Sequence, residues 1–171
     1  MKTLPRGIDI PELEEKWQRL WEEAGIYRYD WEDEGRPRYS INTPPPYPSG
    51  EFHMGNVVNW TYIDIRARFR RMQGYNVYFP QGWDCHGLPT EVAVEKAHAI
   101  KRSDLPPDEF RKLCTEWIEQ YVAKMKSAII RLGCSIDWSL EYRTMEPSYI
   151  RRIQLSFIQL YDRGMIYLGE H

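Results

Sequence analysis

A proline-rich loop between two short β-favouring segments limits the possible folds of this chain more than any other part of the sequence. The β-favouring segments lie at 39–42 and 76–79, the loop lies at 44–48, and an amphipathic helix follows the loop and ends near Gly74. A strand, a helix and a second strand in this order form a βαβ unit, which implies a parallel sheet with a right-handed crossover. Such sheets bind ligands at the carboxyl ends of their strands. The sequence therefore predicts an α/β fold with a ligand site in the loops that follow these two strands.

The loop enters the helix at His53-Met54-Gly55-Asn56. A helix N-terminus presents free N–H groups and a partial positive charge, so it attracts phosphates. Gly55 has no side chain, which lets a flat base or a ribose approach the backbone. We therefore predict a phosphate and nucleoside site here. A structural role for His53 and a pure helix-cap role for Asn56 are the alternatives.

A second candidate block follows the second predicted strand and runs Gly82-Trp83-Asp84-Cys85-His86-Gly87-Leu88-Pro89-Thr90-Glu91. Asp84 lies at the strand end, where its carboxylate either binds a charged ligand or caps the loop. We expect His86 and Gly87 to shape the turn. A zinc site at Cys85 and His86 would need further ligands, and nothing in the sequence provides them.

Composition excludes several classes of protein. A length of 171 residues suits one domain with a substantial core, and a formal net charge of −2 argues against general nucleic-acid coating. No stretch approaches the roughly 18–20 apolar residues of a membrane span, and the N-terminus lacks an apolar signal region. The cysteines, Cys85, Cys114 and Cys134, are odd in number and lack C-x-x-C spacing. We expect a cytoplasmic protein without a disulfide or a zinc site.

Apolar residues at helical spacing predict four main helices. The first begins near Pro11 and ends at Gly25, the second follows His53, the third opens at Pro106, and the fourth opens at Pro147. One face of the second carries Val58, Tyr62, Ile65, Phe69 and Met72. In the third, the residues that repeat are Phe110, Leu113, Trp117, Tyr121 and Ala128. In the fourth, we expect the inward residues to be Ile150, Ile153, Phe157, Leu160 and Tyr161.

The second predicted helix also carries a basic run, Arg66, Arg68, Arg70 and Arg71. We interpret this run as a solvated helix face, with nucleic-acid contact as the alternative.

Taken together, the two blocks resemble the class I aminoacyl-tRNA synthetases. His53-Met54-Gly55-Asn56 is similar to the ATP-binding signature His-Ile-Gly-His of that family, with Asn56 in place of the second histidine. The block at 82–91 is similar to the second block of the valine, isoleucine and leucine enzymes. The opening Glu14-x-x-Trp17-x-x-x-Trp21 and the closing segment at 144–149 also fit, so the resemblance covers essentially the whole chain.

Within the family, the triple proline and the run Phe52-His53-Met54-Gly55 are most similar to valyl-tRNA synthetases of the archaeal type. Such enzymes activate valine with ATP and Mg²⁺ and transfer it to tRNA(Val). The resemblance implies catalytic roles for His53 and Asn56. The ATP-binding residues it implies are Pro46, His53, Gly55 and Asn56, and the valine-binding residues are Pro45, Tyr47 and Asp84.

The resemblance also implies a fold: the first half of a Rossmann-type, doubly wound parallel-sheet catalytic domain with added helices. Residues 1–38 would form an N-terminal helix and loop that pack on the catalytic portion at 39–171. Because family members are several times longer, we expect an N-terminal fragment, truncated before the editing insertion, with the rest of the synthetase downstream. The fragment by itself is expected to be inactive. The alternatives are isoleucyl-tRNA synthetase, another class I nucleotidylyl transferase, or a non-catalytic synthetase fragment that acts as a binding module.

Overall fold

The computed structural model describes Gly7 and residues 9–48 and 50–170. Its helices and strands alternate along the chain, as the sequence predicts for an α/β fold. In order they are α1 Ile10–Glu23, β1 Arg38–Ser40, α2 Met54–Met72, β2 Asn76–Tyr78, β3 Gly82–Trp83, α3 Leu88–His98, α4 Pro107–Arg131, β4 Tyr142–Arg143 and α5 Pro147–Asp162.

Both strand pairs are parallel, which confirms the βαβ prediction. β1 pairs with β2 across α2, with Tyr39 opposite Val77, and β3 pairs with β4 across α3 and α4, with Gly82 opposite Tyr142. A Cβ atom at Gly82 would overlap the Tyr142 ring, so only glycine allows this close approach.

The predicted second strand ends at Tyr78, and a further short strand that was not predicted, β3, comes between it and Asp84. Regular pairing stops after Tyr78 and resumes at Gly82 on the opposite side of the segment, against β4. Pro80 lies in the interruption and has no N–H group to donate to a neighbouring strand. The Phe79 carbonyl accepts from the Asp137 N–H at 3.0 Å. The segment therefore changes its partner from β1 to β4.

Helix α1 begins and ends close to its predicted bounds and packs on the rest of the chain. Asp9 caps it by accepting from the Glu12 N–H at 3.2 Å, and Gly25 follows it with φ +59°. Glu14 forms an ion pair with Arg131 at the end of α4, with 3.6 Å between nitrogen and oxygen. The first helix is thus held against the long helix of the domain.

Arg68, Arg70 and Arg71 of the α2 run are half-buried against the protein, so the prediction of a solvated helix face is wrong for these three, whereas Arg66 is exposed as predicted. The Arg68 guanidinium lies 5.6 Å from the Trp21 ring centroid and 5.2 Å from that of Tyr27. Arg71 donates to the Ser135 carbonyl at 2.9 Å. Arg66 donates to the hydroxyl of a tyrosine in β1, and Arg70 lies over the ring of that tyrosine and over the tyrosine ring just before β2. A planar guanidinium can stack on aromatic rings while its N–H groups donate in fixed directions, so these charges tie α2 to the N-terminal segment.

The core lies between the β2–β3 segment and α4. The side chains of Phe79, Trp83 and Ile129 are almost fully buried there. The buried stripe of α4 shares only Phe110 with the predicted repeat and consists of Phe110, Ile118, Val122, Met125 and Ile129. The other predicted positions are half-buried, because they lie at the margin of this stripe rather than at its centre.

Two predicted apolar helix faces lie on the surface. On α2, Val58, Tyr62, Ile65, Phe69 and Met72 are 47–84% exposed, while Trp60 and Ala67 enter the core. On α5, the predicted inward orientation is wrong for Ile150, Ile153, Phe157 and Tyr161, which are exposed, and Leu160 is half-buried. Periodicity identifies an apolar face but does not say what covers it, and within the described ranges no element packs over these two faces.

We expect the 171-residue chain, expressed by itself, to self-associate through these faces, because large exposed apolar patches favour association. Replacing both Phe69 and Phe157 with glutamine should shift the chain towards monomer. Size-exclusion chromatography with light scattering over a dilution series measures this. The matched control is Gln154→Ser on α5, which alters an exposed polar residue and should leave association unchanged. A parent chain that stays monomeric at every concentration would contradict the prediction.

Candidate nucleotide and amino-acid site

His53 and Asn56 cap the start of α2 through a reciprocal pair of hydrogen bonds. The Gly55 N–H donates to His53 Nδ1 at 3.1 Å, and the His53 N–H donates to Asn56 Oδ1 at 3.1 Å. This is a capping box with histidine and asparagine in the places of the usual residues. Because Nδ1 accepts a hydrogen bond, the neutral ring carries its hydrogen on Nε2. The exposed His53 ring can therefore offer an N–H group to a ligand.

Gly55 has a further reason to be glycine. A Cβ atom at this position would lie 2.9 Å from His53 Cε1, closer than unstrained contacts allow. Without a side chain at 55, the ring can fold back over the first turn of the helix. A glycine at 55 therefore allows the placement of the histidine ring, in addition to the predicted approach of a base or ribose.

Asn56 has a capping role, and its amide group retains donor capacity. Only its Oδ1 atom is used in the capping box, and Nδ2 forms no hydrogen bond within the described ranges. An amide nitrogen carries two hydrogens, so a helix cap and a phosphate contact are compatible in one side chain. The phosphate contact stays a prediction.

A backbone hydrogen bond brings the proline-rich loop against the second block. The Asp84 N–H donates to the Pro46 carbonyl at 2.9 Å. Pro45 and Pro46 are half-buried, whereas Tyr47 is 50% exposed. The Tyr47 ring extends towards Gly87, where an added Cβ atom would lie 3.8 Å from Tyr47 Cε1. The predicted amino-acid-binding residues of the loop, Pro45 and Tyr47, therefore lie near Asp84, although Asp84 is far from them in the sequence.

The Asp84 carboxylate is half-buried and is held mainly through one oxygen. Oδ1 accepts from the His86 N–H at 3.3 Å and lies 3.5 Å from Thr144 Oγ1. Within the described residues Oδ2 forms no hydrogen bond. A carboxylate with one oxygen held and the other free can form a directed ion pair with an ammonium group.

Cys85 is a buried structural residue of the turn. Its N–H donates to Thr144 Oγ1 at 2.8 Å, and its Sγ lies 3.4 Å from the Trp83 carbonyl. Burial raises the pKa of the Cys85 thiol. At neutral pH the thiol therefore stays protonated, which disfavours a role as a nucleophile or a metal ligand. Among the residues that the structure describes, no three His, Cys, Asp or Glu side chains are grouped closely enough to hold a metal ion.

The Trp83 side chain is held by a glutamate that also forms an ion pair with a lysine of α4. Trp83 Nε1 donates to Glu141 Oε1 at 2.8 Å, and Lys126 Nζ lies 2.6 Å from Glu141 Oε2. Burial by itself would raise the pKa of Glu141, but the hydrogen bonds from Lys126 and Trp83 outweigh it and hold the pKa below its usual value. This carboxylate therefore stabilises the fold at neutral pH, and its contribution is lost as the pH falls through the lowered pKa.

A second set of contacts, absent from the sequence-based prediction, anchors the start of α2. Phe52 packs edge-on against Trp60, with 5.9 Å between ring centroids. Trp60 Nε1 in turn donates to Gln81 Oε1 at 3.1 Å, in the segment just before β3. A polar residue within a buried apolar stretch is the signal that could have identified Gln81. The buried hydrogen bond joins the helix that His53 caps to the segment that leads through β3 to Asp84.

The start of α2 and the turn at Asp84 have the features that the sequence predicted for a class I aminoacyl-tRNA synthetase, and comparison with known protein families gives a match. The family model for tRNA synthetases class I (I, L, M and V) matches residues 16–171. The chain belongs to this family of class I aminoacyl-tRNA synthetases.

Its relatives include archaeal valine--tRNA ligases. The chain is 55% identical over 166 residues to the enzyme of Archaeoglobus fulgidus, which covers 97% of the chain and 19% of the relative. It is 56% identical over 158 residues to the enzyme of Methanothermobacter thermautotrophicus, covering 92% of the chain and 18% of the relative. The chain thus spans about a fifth of the length of these relatives.

A solved structure shares the fold. The LeuRS of Agrobacterium radiobacter K84, in a ternary complex with tRNA and LeuAMS, superposes with a TM-score of 0.76 at 29% identity. The match covers 94% of this chain and 19% of the other. The resemblance to class I synthetases, the α/β catalytic-domain fold and the likeness to the valine enzymes are confirmed. The individual roles of His53, Asn56, Pro45, Pro46, Tyr47 and Asp84 stay predictions.

Proposed function

We propose that this chain is the ATP- and valine-binding part of a valine--tRNA ligase, and that the complete protein transfers valine to tRNA(Val). The observation that carries the proposal is the hydrogen bond between the Asp84 N–H and the Pro46 carbonyl. It sets a carboxylate with a free oxygen beside the loop that leads into α2 and His53. A group for an ammonium and a group for a phosphate thus follow two adjacent parallel segments, where ligands of such sheets bind.

Valine would be activated by direct attack on ATP, which enters as its Mg²⁺ complex. The valine carboxylate attacks the α-phosphorus, a new O–P bond forms, and the bond to pyrophosphate breaks. A carboxylate is already ionised at neutral pH, so the step needs no general base. The site would contribute positioning and charge stabilisation: His53 Nε2–H and the free N–H groups of the first turn of α2 donate to phosphate oxygens as charge develops there.

The amino-acid side of the site would combine one charge with rigid apolar walls. Asp84 Oδ2 pairs with the valine ammonium, and Pro45 and Tyr47 line the space for the branched side chain. Proline rings cannot adjust their shape, so they suit a small fixed side chain. Discrimination by one methylene is nevertheless only about 1–3 kcal/mol. Rejection of similar amino acids would therefore need more than this pocket.

The proposal also includes the domain organisation of the chain, its cellular location and its tRNA partner. Residues 1–38 would form a helix and loop that clamp the catalytic portion at 39–171, supported by the Arg68 and Glu14 contacts. A cytoplasmic setting is supported by the three cysteines, all of which are free thiols. Interaction with tRNA(Val) is supported by the names of the relatives. Considering only the described residues, none of the helices is both long and apolar enough to cross a membrane.

Pyrophosphate exchange with single amino acids tests the proposal in the complete gene product. We expect ATP–pyrophosphate exchange with valine at a far higher kcat/KM than with isoleucine or leucine. Exchange that favours isoleucine would replace the valine assignment. No exchange with any amino acid, in a preparation that is folded and binds ATP, would overturn the catalytic proposal in favour of a binding module.

A further inference from the structure

We propose that Thr144 is a positioning residue for the amino-acid site: its hydroxyl fixes the turn that carries Asp84 and thereby orients the carboxylate towards the substrate ammonium. This inference rests on the proposed function. Thr144 is 7% exposed and follows β4, so it acts from the strand beside the second block rather than from within the block.

Backbone contacts hold Thr144 against both sides of Asp84. The Thr144 N–H donates to the Trp83 carbonyl at 3.1 Å, and Thr144 Oγ1 accepts from the Cys85 N–H at 2.8 Å. These bonds restrain the residues immediately before and after Asp84. The parallel pairing of β3 with β4 places Thr144 at this position.

The hydroxyl hydrogen of Thr144 is then left for Asp84. Because Oγ1 uses a lone pair for the Cys85 N–H, its own hydrogen is free to donate. Asp84 Oδ1 lies 3.5 Å away, at the long end of the hydrogen-bond range, and also accepts from the His86 N–H. Oδ1 is thus restrained from two directions, and the free Oδ2 has a defined orientation.

The carbonyl oxygen of Thr144 contacts the last residue of the turn. His86 Nε2 lies 3.2 Å from this carbonyl oxygen. One residue therefore contacts three consecutive residues of the turn, Asp84, Cys85 and His86. Threonine is suited to this task because its β-branch restricts χ1 and keeps the hydroxyl in one direction.

Two substitutions in the complete gene product separate the hydroxyl from the shape of the side chain. Thr144→Val keeps the shape and removes Oγ1, whereas Thr144→Ser keeps Oγ1. In pyrophosphate exchange, Thr144→Val should raise the KM for valine by roughly 10-fold, the loss of about one hydrogen bond near a charge, and leave the KM for ATP within about two-fold. Thr144→Ser should restore most of the valine affinity. The matched control is Thr115→Val on α4, whose hydroxyl donates to the Arg111 carbonyl of its own helix and, within the described part of the chain, to no other group.

A double-mutant cycle with Asp84→Asn tests whether Thr144 acts through the Asp84 charge. If it does, Thr144→Val should raise the KM for valine far less in the Asp84→Asn background than in the parent protein. Fully additive effects, or equal losses for valine and ATP, would assign Thr144 a merely structural role. Should Thr144→Val fail to fold, Thr144→Ala serves in its place, because the smaller side chain admits a water to the Cys85 N–H. A parent protein without exchange activity overturns the proposed function, whereas an active parent with unchanged Thr144 variants overturns only this inference.

Discussion

Replacing His53 with alanine is expected to lower the rate of valine adenylation in the complete gene product by roughly 100-fold or more, the effect of losing one preorganised donor. The ring is exposed, and its Nδ1 atom is engaged by the Gly55 N–H, so Nε2–H is the group offered to the phosphates. Stability should change little, because the variant loses one cap contact of about 1 kcal/mol. Pyrophosphate exchange and thermal unfolding measure the two effects separately.

A second variant separates chemistry from helix capping. His53→Asn restores a good capping oxygen, but its short amide does not reach as far as the imidazole Nε2. It should therefore recover stability without recovering the adenylation rate. His98→Ala, at an exposed histidine in the last turn of α3, controls for the loss of a histidine elsewhere. If His53→Ala exchanges pyrophosphate at the parent rate, or if His53→Asn recovers that rate, the phosphate role is wrong.

Asp84→Asn is expected to weaken valine binding by about 1.5–3 kcal/mol, the range for hydrogen bonds to charged groups. Asparagine keeps the shape, and its Oδ1 can still accept from the His86 N–H, so the turn should survive. ATP binding should stay near that of the parent, because the groups that are predicted to bind phosphate lie at the start of α2. Titration calorimetry with valine and with ATP, each alone, measures the two affinities.

The matched control for Asp84→Asn is Asp104→Asn, at an exposed carboxylate that accepts from the Lys101 N–H and from the hydroxyl of the neighbouring Ser103. This control should leave both affinities unchanged. Equal weakening of valine and ATP binding by Asp84→Asn would indicate structural damage rather than the loss of an ion pair.

Much of the fold could be predicted because it depends on local patterns. The proline-rich loop, the amphipathic helix after it and the flanking β-favouring segments specify β1, α2 and β2 with errors of one or two residues. Gly25 and Gly74 follow α1 and α2 with positive φ, as helix-ending glycines do. The strand after Phe79 was less predictable, because its partner changes from β1 to β4 and a strand's partner is not encoded in its own residues.

The apolar faces of α2 and α5 likewise show that local sequence does not specify the partner of an element. Periodicity predicted these faces, but burial depends on a neighbour that periodicity cannot name, and both faces are exposed. The prediction for the arginines of α2 was wrong in the opposite direction. All four were predicted to face solvent, and Arg66 does, but Arg68 and Arg71 stack on and donate to groups from other parts of the chain.

Local sequence was enough to identify the class of protein and the candidate residues, because His53, Asn56 and Asp84 belong to contiguous blocks whose chemistry depends on their immediate neighbours. The way in which these residues are held depends on tertiary contacts that no local segment predicts. The bond between Pro46 and Asp84, the contact of Thr144 with the Asp84 turn and the bond from Trp60 to Gln81 each join distant parts of the chain. Contacts of this kind depend on which strands become neighbours, and that choice is made by packing over the whole domain rather than by any local segment.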